Sequence, residues 1–314
     1  MDAESRTDLE RILGRLRQPE LVRLLTEELS GSDFNTLLLE VFRERIEGSS
    51  AADLLKRYTE NRFVHPAHVD PIALKQLELE LLHIAVRHHV APVQLSPVAP
   101  LGSASVMGKV DQNKVISASR GTEVVPDATN LLALHVCDTL RKGGEPHKRS
   151  GLLRYCTTHR HVRAQNFGKA PGMLPHFHLF GMVTSGLDTG SYGFEKQAFW
   201  EHVEVYRTIF REAFDSEIEL ILSARSGYRD AEGLVARLVA YGEECCNDLK
   251  VTVGPASPGN LYYAGMQFTI KTTIRGKDYA IGDGGFVDWT QQLLGSKKER
   301  LLISAIGMDR LLDA

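Results

Sequence analysis

Between residues 6 and 60, apolar side chains recur three and four positions apart, the period of an amphipathic helix and not of a strand. In RTDLERILGRLRQPELVRLLTEEL, Leu9, Ile12, Leu13 and Leu16 share one face, and Thr7 with Glu10 reads as a capping box. A Ser-Gly break opens a second run, SGSDFNTLLLEVFRERIEG. SSAADLLKRYTENRF opens a third, with Ser49 or Ser50 as its cap. The pattern predicts a small helical bundle or appendage over residues 1–65, its charges forming a solvated face. FVHPAHVDP (63–71), with two prolines, reads as a linker, and residues 71–90 as a long amphipathic helix.

From residue 91 the texture changes. Pro92, Pro97 and Pro100 exclude a helix over 91–102 and predict an extended edge or interface segment. Strands are predicted at 114–119, 152–165, 175–186, 218–224 and 261–274, and helices at 128–143, 195–214 and 233–249. NFGKAPGML is expected to be the loop between the second and third of those strands. DYAIGDGGFVDWTQQLLG reads as strand, Gly-rich turn and helix start, and LLISAIGMDRLLDA as a strand entering a helix. There is no regular βαβ rhythm, so the expected class is α+β, an antiparallel sheet flanked by helices with an N-terminal helical extension. In LYYAGMQF, two adjacent strand tyrosines would face opposite ways, and Gly265 would mark a close approach to the backbone.

Composition narrows the classes. The 314 residues are 43% hydrophobic and 25% charged, which suits an average globular domain or two. A net charge of −3 demands no polyanionic partner. The four cysteines lack C-x-x-C spacing, so reduced thiols are expected. No run of about 18 apolar residues and no signal-peptide pattern occurs, which predicts a cytoplasmic protein with no membrane partner. GDGGF lacks the spacing of a dinucleotide loop, and neither a P-loop nor a G-x-S-x-G elbow is present. His159/His161 and His176/His178 could each face one way along a strand, but no third metal ligand accompanies them, and they read as polar strand faces. No metal-binding residue is assigned.

A different chemistry emerges from segments taken together. Arg163 ends a strand before the loop that returns through Phe177; an arginine there can hold a phosphate, and the phenylalanine can stack on a purine. Arg310 opens the last helix after a glycine and can stack on the same purine or reach outer phosphates. Asp127, at a helix start, can grip an amino group.

In this order the segments resemble the catalytic domain of class II aminoacyl-tRNA synthetases, the histidyl type in particular. APVQLSPVAPLG is similar to motif 1, with Pro97 as its proline. VPDATNLLAL resembles R-P-E-x-T-x-x-x-A-R, with Asp127 for Glu and Thr129 kept. HVRAQ resembles the F-R-x-E of motif 2, keeping Arg163 and placing Gln165 for Glu, and HFHLF its returning strand, keeping Phe177. PGNLYYAGMQF looks like R-G-L-D-Y-Y-T-G-x-x-F, GGFVDW like G-G-R-Y-D, and IGMDRLL like the G-L-E-R-L of motif 3. The resemblance covers about residues 90–314 and makes 66–314 the catalytic domain. It implies ATP and Mg²⁺ as cofactors and a homodimer through the motif 1 region. Arg163 and Arg310 would be catalytic, and Gln165, Phe177 and Asp288 would join them at ATP. Asp127, Thr129, Leu179, Val183, Tyr262, Tyr263, Gly265 and Phe286 would line the acid pocket.

The departures fall on the amino-acid side. Pro258 stands where the signature has its arginine, Phe286 replaces the arginine of G-G-R-Y-D, and Leu179 and Val183 stand near the polar groups that hold the substrate's ammonium. With the sequence stopping right after the motif 3 segment, neither an anticodon-binding domain nor a basic tail to grip tRNA is expected. The expectation is a stand-alone ligase that activates an amino or other carboxylic acid as an acyl-adenylate. The acceptor would be a small molecule, a carrier or a protein, and ordinary tRNA charging is not expected. The alternative is a non-catalytic paralogue resembling the synthetase-like regulatory subunit of ATP phosphoribosyltransferase.

Overall fold

A computed structural model describes residues 3–143, 151–165, 175–246, 248–256, 259 and 261–312, with side chains from residue 7 onward. Pro258 and the predicted loop NFGKAPGML lie outside the described residues.

The chain opens with α1 (Ala3–Leu16), α2 (Leu21–Arg23) running on through a π turn to Glu28, α3 (Gly31–Ile46) and α4 (Ala51–Glu60). Thr7 lies inside α1, so the predicted capping box does not start that helix. Ser50 does cap α4: it accepts from the Asp53 N–H while the Asp53 carboxylate accepts from the Ser50 N–H. No described side chain between residues 7 and 60 is fully buried. The linker, by contrast, is pinned to the sheet domain. The Arg62 guanidinium donates to the Ala164 and Gln165 carbonyls, and the His65 carbonyl lies 2.6 Å from His176 Nε2.

After it come α5 (Pro71–Arg87), β1 (Ala91–Pro92), β2 (Val98–Pro100), β3 (Ser117–Ala118), β4 (Thr122–Val124) and α6 (Ala128–Arg141). The hairpin strands β5 (Leu153–Val162) and β6 (His176–Leu187) follow, then α7 (Gly193–Phe214), β7 (Ile218–Ala224), α8 (Ala231–Cys245) and β8 (Lys250–Val253). The chain closes with β9 (Ala264–Ile274), β10 (Lys277–Val287), α9 (Trp289–Leu294), β11 (Glu299–Gly307) and α10 (Met308–Leu312).

Eight strands form one sheet in the order β1-β5-β6-β11-β10-β9-β7-β8, and β2-β4-β3 form a small second one. The large sheet is antiparallel through its centre and parallel only at its two edges, β1 with β5 and β7 with β8. The fold is therefore α+β, as expected. The predicted Gly-rich turn is instead the middle of β10, which pairs continuously with β11 from Gly282 to Val287. A Cβ on Gly282 would lie 2.2 Å from the Ala305 carbonyl oxygen, and one on Gly284 2.6 Å from the Phe268 ring. These glycines let neighbouring strands and rings close up.

Strand alternation divides the core. Met182, Leu302 and Phe286 face α5, α7 and α8 in one large apolar layer, and Val183, Ile303 and Val287 face α6 and α9 on the other side. The second layer is smaller, and a cavity opens beside it.

Candidate functional site

Small residues clear part of the α6 side of the sheet. Gly181 of β6, Gly285 of β10, and Ala305 and Gly307 of β11 carry little or no side chain there, and β10 contributes Asp283 between them. A cavity of about 320 Å³ lies over this floor, lined among others by Asp127, Thr129, Arg163, Phe177, Leu179 and Arg310. A second chamber of about 300 Å³ shares Asp127, Arg163, Tyr262, Tyr263 and Asp283 with it and extends to Gln165, Asn130 and Gln267.

Each wall has a local cause. Asp127 caps α6, with Oδ1 accepting from the Thr129 N–H at 2.9 Å and the Thr129 hydroxyl at 2.7 Å. Its other oxygen accepts from the Tyr262 hydroxyl at 2.9 Å and stands 3.7 Å from Arg163 Nη2. Burial pushes the Asp127 carboxyl up, but Arg163, His161 and the Thr129 bonds outweigh it and hold it below the usual carboxylate range. Arg163 also donates from Nε to the Pro126 carbonyl at 2.9 Å, and its guanidinium lies over the Phe177 ring, 5.0 Å from the centroid. Arg310 donates to the Ala280 and Ile281 carbonyls, both at 3.0 Å. A Cβ on Gly307 would approach that guanidinium within 3.2 Å, so the glycine keeps room for it.

The two tyrosines precede β9 and do not point to opposite faces as predicted. Both lie in the shared part of the cavity, edge to face with centroids 4.9 Å apart, because the strand pleat begins only at Ala264. Tyr263 covers Gly285, where a Cβ would meet its ring at 2.6 Å, and donates to Asp283 at 3.2 Å.

Four residues predicted for the site lie elsewhere. Gly265 does adopt a positive φ of 74° and is closely approached, but by the Tyr228 ring, 2.5 Å from where a Cβ would stand. Its backbone pairs with Arg225 and Ser226. Phe286 sits one residue out of phase with Gly285 and packs in the opposite layer against Phe194 and Tyr228. Val183 is fully buried in the core beneath the cavity, and Asp288 is exposed at the start of α9, accepting from Gln292.

Asp283 is the residue that reading the sequence missed, because a turn hides the facing that a strand gives it. It is half-buried, accepts from Tyr263 and, at 3.1 Å, from Gln267, and desolvation pushes its carboxyl up. The paired histidines differ from expectation too: all four are buried, not on polar faces. Burial pulls His161 down to about 3 and His178 to about 4, although Glu78 lies 3.3 Å from the latter. His161 accepts from the Ala128 N–H at 2.8 Å and so buttresses the start of α6 beside Asp127. Among the described residues no group of three or more acidic, histidine or cysteine side chains is arranged to hold a metal, and no helix is long and apolar enough to cross a membrane.

No protein-family profile and no curated protein matches the chain. Solved structures do. Apo S. aureus histidyl-tRNA synthetase aligns with a TM-score of 0.57 and 12% identity, over 78% of this chain and 66% of that one. A Bacillus halodurans protein described as ATP phosphoribosyltransferase regulatory subunit/histidyl-tRNA synthetase aligns at 0.55 and 12%, over 76% of this chain and 78% of its own. A putative threonyl-tRNA synthetase from Aeropyrum pernix aligns at 0.59 and 13%, over 76% and 58%. The chain thus spans just under two thirds of the first synthetase and less of the third. Its fold is that of class II synthetase-like proteins.

Proposed function

We propose that the chain is an adenylate-forming ligase: it activates a carboxylic acid with ATP and hands the acyl group to an acceptor other than tRNA. One observation carries this reading. A single cavity joins Arg163, Phe177 and Arg310, suited to a nucleotide, to Asp127, Tyr262 and Tyr263, suited to a small acid. In the proposed reaction a carboxylate oxygen attacks the α-phosphorus and the bond to the β-phosphate oxygen breaks, releasing pyrophosphate. Arg163 neutralises charge on the α-phosphate as the new bond forms, and the Phe177 and Arg310 side chains hold the adenine between them. With no dedicated cage among the described residues, Mg²⁺ enters this reading as the counter-ion of the nucleotide's own phosphates, and no step is assigned to it. A homodimer through the β2 region belongs to the same reading; Leu101 and Val106 there are 52% and 73% exposed.

Pyrophosphate exchange into ATP, across a panel of amino and carboxylic acids, tests the reading. Exchange with at least one acid, abolished by Arg163→Ala and by Arg310→Ala, is the expected result. No exchange with any acid, together with no ATP binding by calorimetry, overturns it.

A second reading has its own support. Phe286 packs on the far side of the sheet, so nothing at that position replaces the arginine of the G-G-R-Y-D signature at the cavity. A non-catalytic paralogue that senses a ligand and regulates a partner enzyme would tolerate that loss. ATP binding without exchange is the outcome that favours it.

A further inference from the structure

Arg163, Phe177 and Arg310 sit at the ends of strands and helices, and a segment far from them in the chain holds those ends. The guanidinium of Arg62, in the linker after α4, donates to the Ala164 carbonyl and, at 3.1 Å, to the Gln165 carbonyl. These carbonyls come one and two residues after Arg163, past the last register pair of the β5–β6 hairpin, Val162 with His176. A guanidinium presents its donors in a fixed fork, which suits two successive carbonyls where a strand would otherwise fray. Three residues on, the His65 carbonyl accepts from His176 Nε2 at 2.6 Å. The direction is fixed, because His176 Nδ1 faces Arg160 Nη1 at 2.8 Å and an arginine only donates. His176 directly precedes Phe177. Arg160 in turn reaches Asp309 at 3.4 Å, and Asp309 directly precedes Arg310.

The linker is itself held on both sides. The His65 ring stacks on Tyr58 of α4, centroids 5.4 Å apart, and its Nε2 lies 2.9 Å from the Tyr58 carbonyl. Val69 packs against the large core, and Asp70 caps α5. A segment anchored at either end and bonded to both strands of a hairpin is a strap across the hairpin's open end. Residues 62–65 line neither chamber of the cavity, and none of the segments that resemble synthetase motifs includes them.

We propose that Arg62 is a positioning residue: through this strap it sets the end of the β5–β6 hairpin, and with it the Arg163 and Phe177 side chains, for a nucleotide that it does not touch. For its nucleotide half this rests on the cavity being the ATP site proposed above. Without the fork, the Ala164 and Gln165 carbonyls turn to water and the strand end opens more often. Arg163 and Phe177 are then in place for a smaller fraction of the time, and apparent affinity falls by that fraction.

The test compares the full native chain with Arg62→Ala, Arg62→Lys and Arg57→Ala. Lysine keeps the charge and loses the fork. Arg57→Ala removes one positive charge from exposed α4 and leaves the strap bonds in place. Arg62 is itself exposed, so its variants are expected to fold, and thermal melts followed by circular dichroism check this. Hydrogen exchange is read on peptides within 153–165 and 175–187, where the Arg163 N–H bonds to Pro175 and the Ala164 N–H to Lys114. ATP affinity is read by calorimetry. Arg62→Ala is expected to speed exchange at those two amides about 2- to 30-fold and to weaken ATP by a similar factor. Arg62→Lys is expected to recover part of both, and Arg57→Ala to change neither. Unchanged exchange in Arg62→Ala, faster exchange with unchanged ATP affinity, or an equal loss in Arg57→Ala overturns the inference. Should Arg62→Ala not fold, the same readouts on Arg62→Lys decide. If the native chain binds no ATP, the ligase reading falls and hydrogen exchange alone decides the strap; ATP binding that Arg62→Ala leaves intact sinks the strap and not the ligase.

Discussion

The Arg163 guanidinium lies 5.0 Å over the Phe177 ring while its Nη2 stands 3.7 Å from Asp127 Oδ2. One side chain thus couples the ring proposed for adenine to the carboxylate proposed for the acid. For a purine to use that face of Phe177, Arg163 must turn toward the phosphates and leave Asp127. Phe177→Ala is therefore expected to weaken ATP binding about 5- to 150-fold, the range for losing one base–aromatic stack. Calorimetric titration of ATP into both proteins measures it, and equal affinities would remove Phe177 from the nucleotide site.

Tyr262→Phe tests the hinge of the acid side. The phenol donates at 2.9 Å to the Asp127 carboxylate, and burial together with that carboxylate holds the phenol well above its ordinary value, so it stays a donor. Losing a bond to a charged group is expected to lower stability by about 1.5–3 kcal/mol. Urea denaturation reads this directly, and a change below about 0.5 kcal/mol would mean that water or Arg163 takes the place of the hydroxyl.

Gly242→Ala sets helix propensity against packing. In α8 an added Cβ would lie 2.1 Å from the Trp200 ring of α7, and Trp200 is held by its bond to the Leu238 carbonyl at 3.1 Å. Alanine favours the helix by up to about 1 kcal/mol, whereas overpacking costs about 1–3 kcal/mol. A net destabilisation with a lower melting temperature is expected; a stabilised variant would show that the two helices can move apart at little cost.

His202 makes stability depend on acid. It is buried between the Thr184 hydroxyl at 2.9 Å and the Ser304 hydroxyl at 2.8 Å, and burial pulls it down to about 3. The folded-state value is depressed, so below about pH 6.5 the unfolded chain takes a proton that the folded chain refuses. The contribution is intact above that pH and is lost toward pH 3 at about 1.4 kcal/mol per pH unit. His202→Gln is expected to flatten the fall in stability between pH 6.5 and 4.5 by about 2–3 kcal/mol, read from urea midpoints at several pH values. Parallel profiles for the two proteins would contradict this.

Local chemistry singled out several residues that line the cavity. Arg163, Phe177, Arg310, Asp127 and Thr129 are legible because each stands at the end of a periodic segment, where a strand or helix gives way and a side chain is free to face a cavity. Period also anticipated the long helices α5, α6, α7 and α8 and the strands β5, β6, β7 and β9, and with them the α+β class, while the short strands β4 and β8 went unread. What local pattern could not supply is phase. Three glycines between Gly282 and Gly285 look like a turn until β9 and β11 are seen to press on both sides of them. Only that pairing turns Asp283 toward the cavity and Phe286 away from it. The same holds for Gly265, whose positive φ serves the Tyr228 ring, and for Tyr262 and Tyr263, which share a cavity because the strand starts only at Ala264 and not at residue 261. Sequence sets which residues can form each element, since periodicity and capping act within a few positions. Which face each side chain shows, and whether a buried carboxylate has a cation beside it, depends on strands far apart in the chain, and only the assembled sheet decides it.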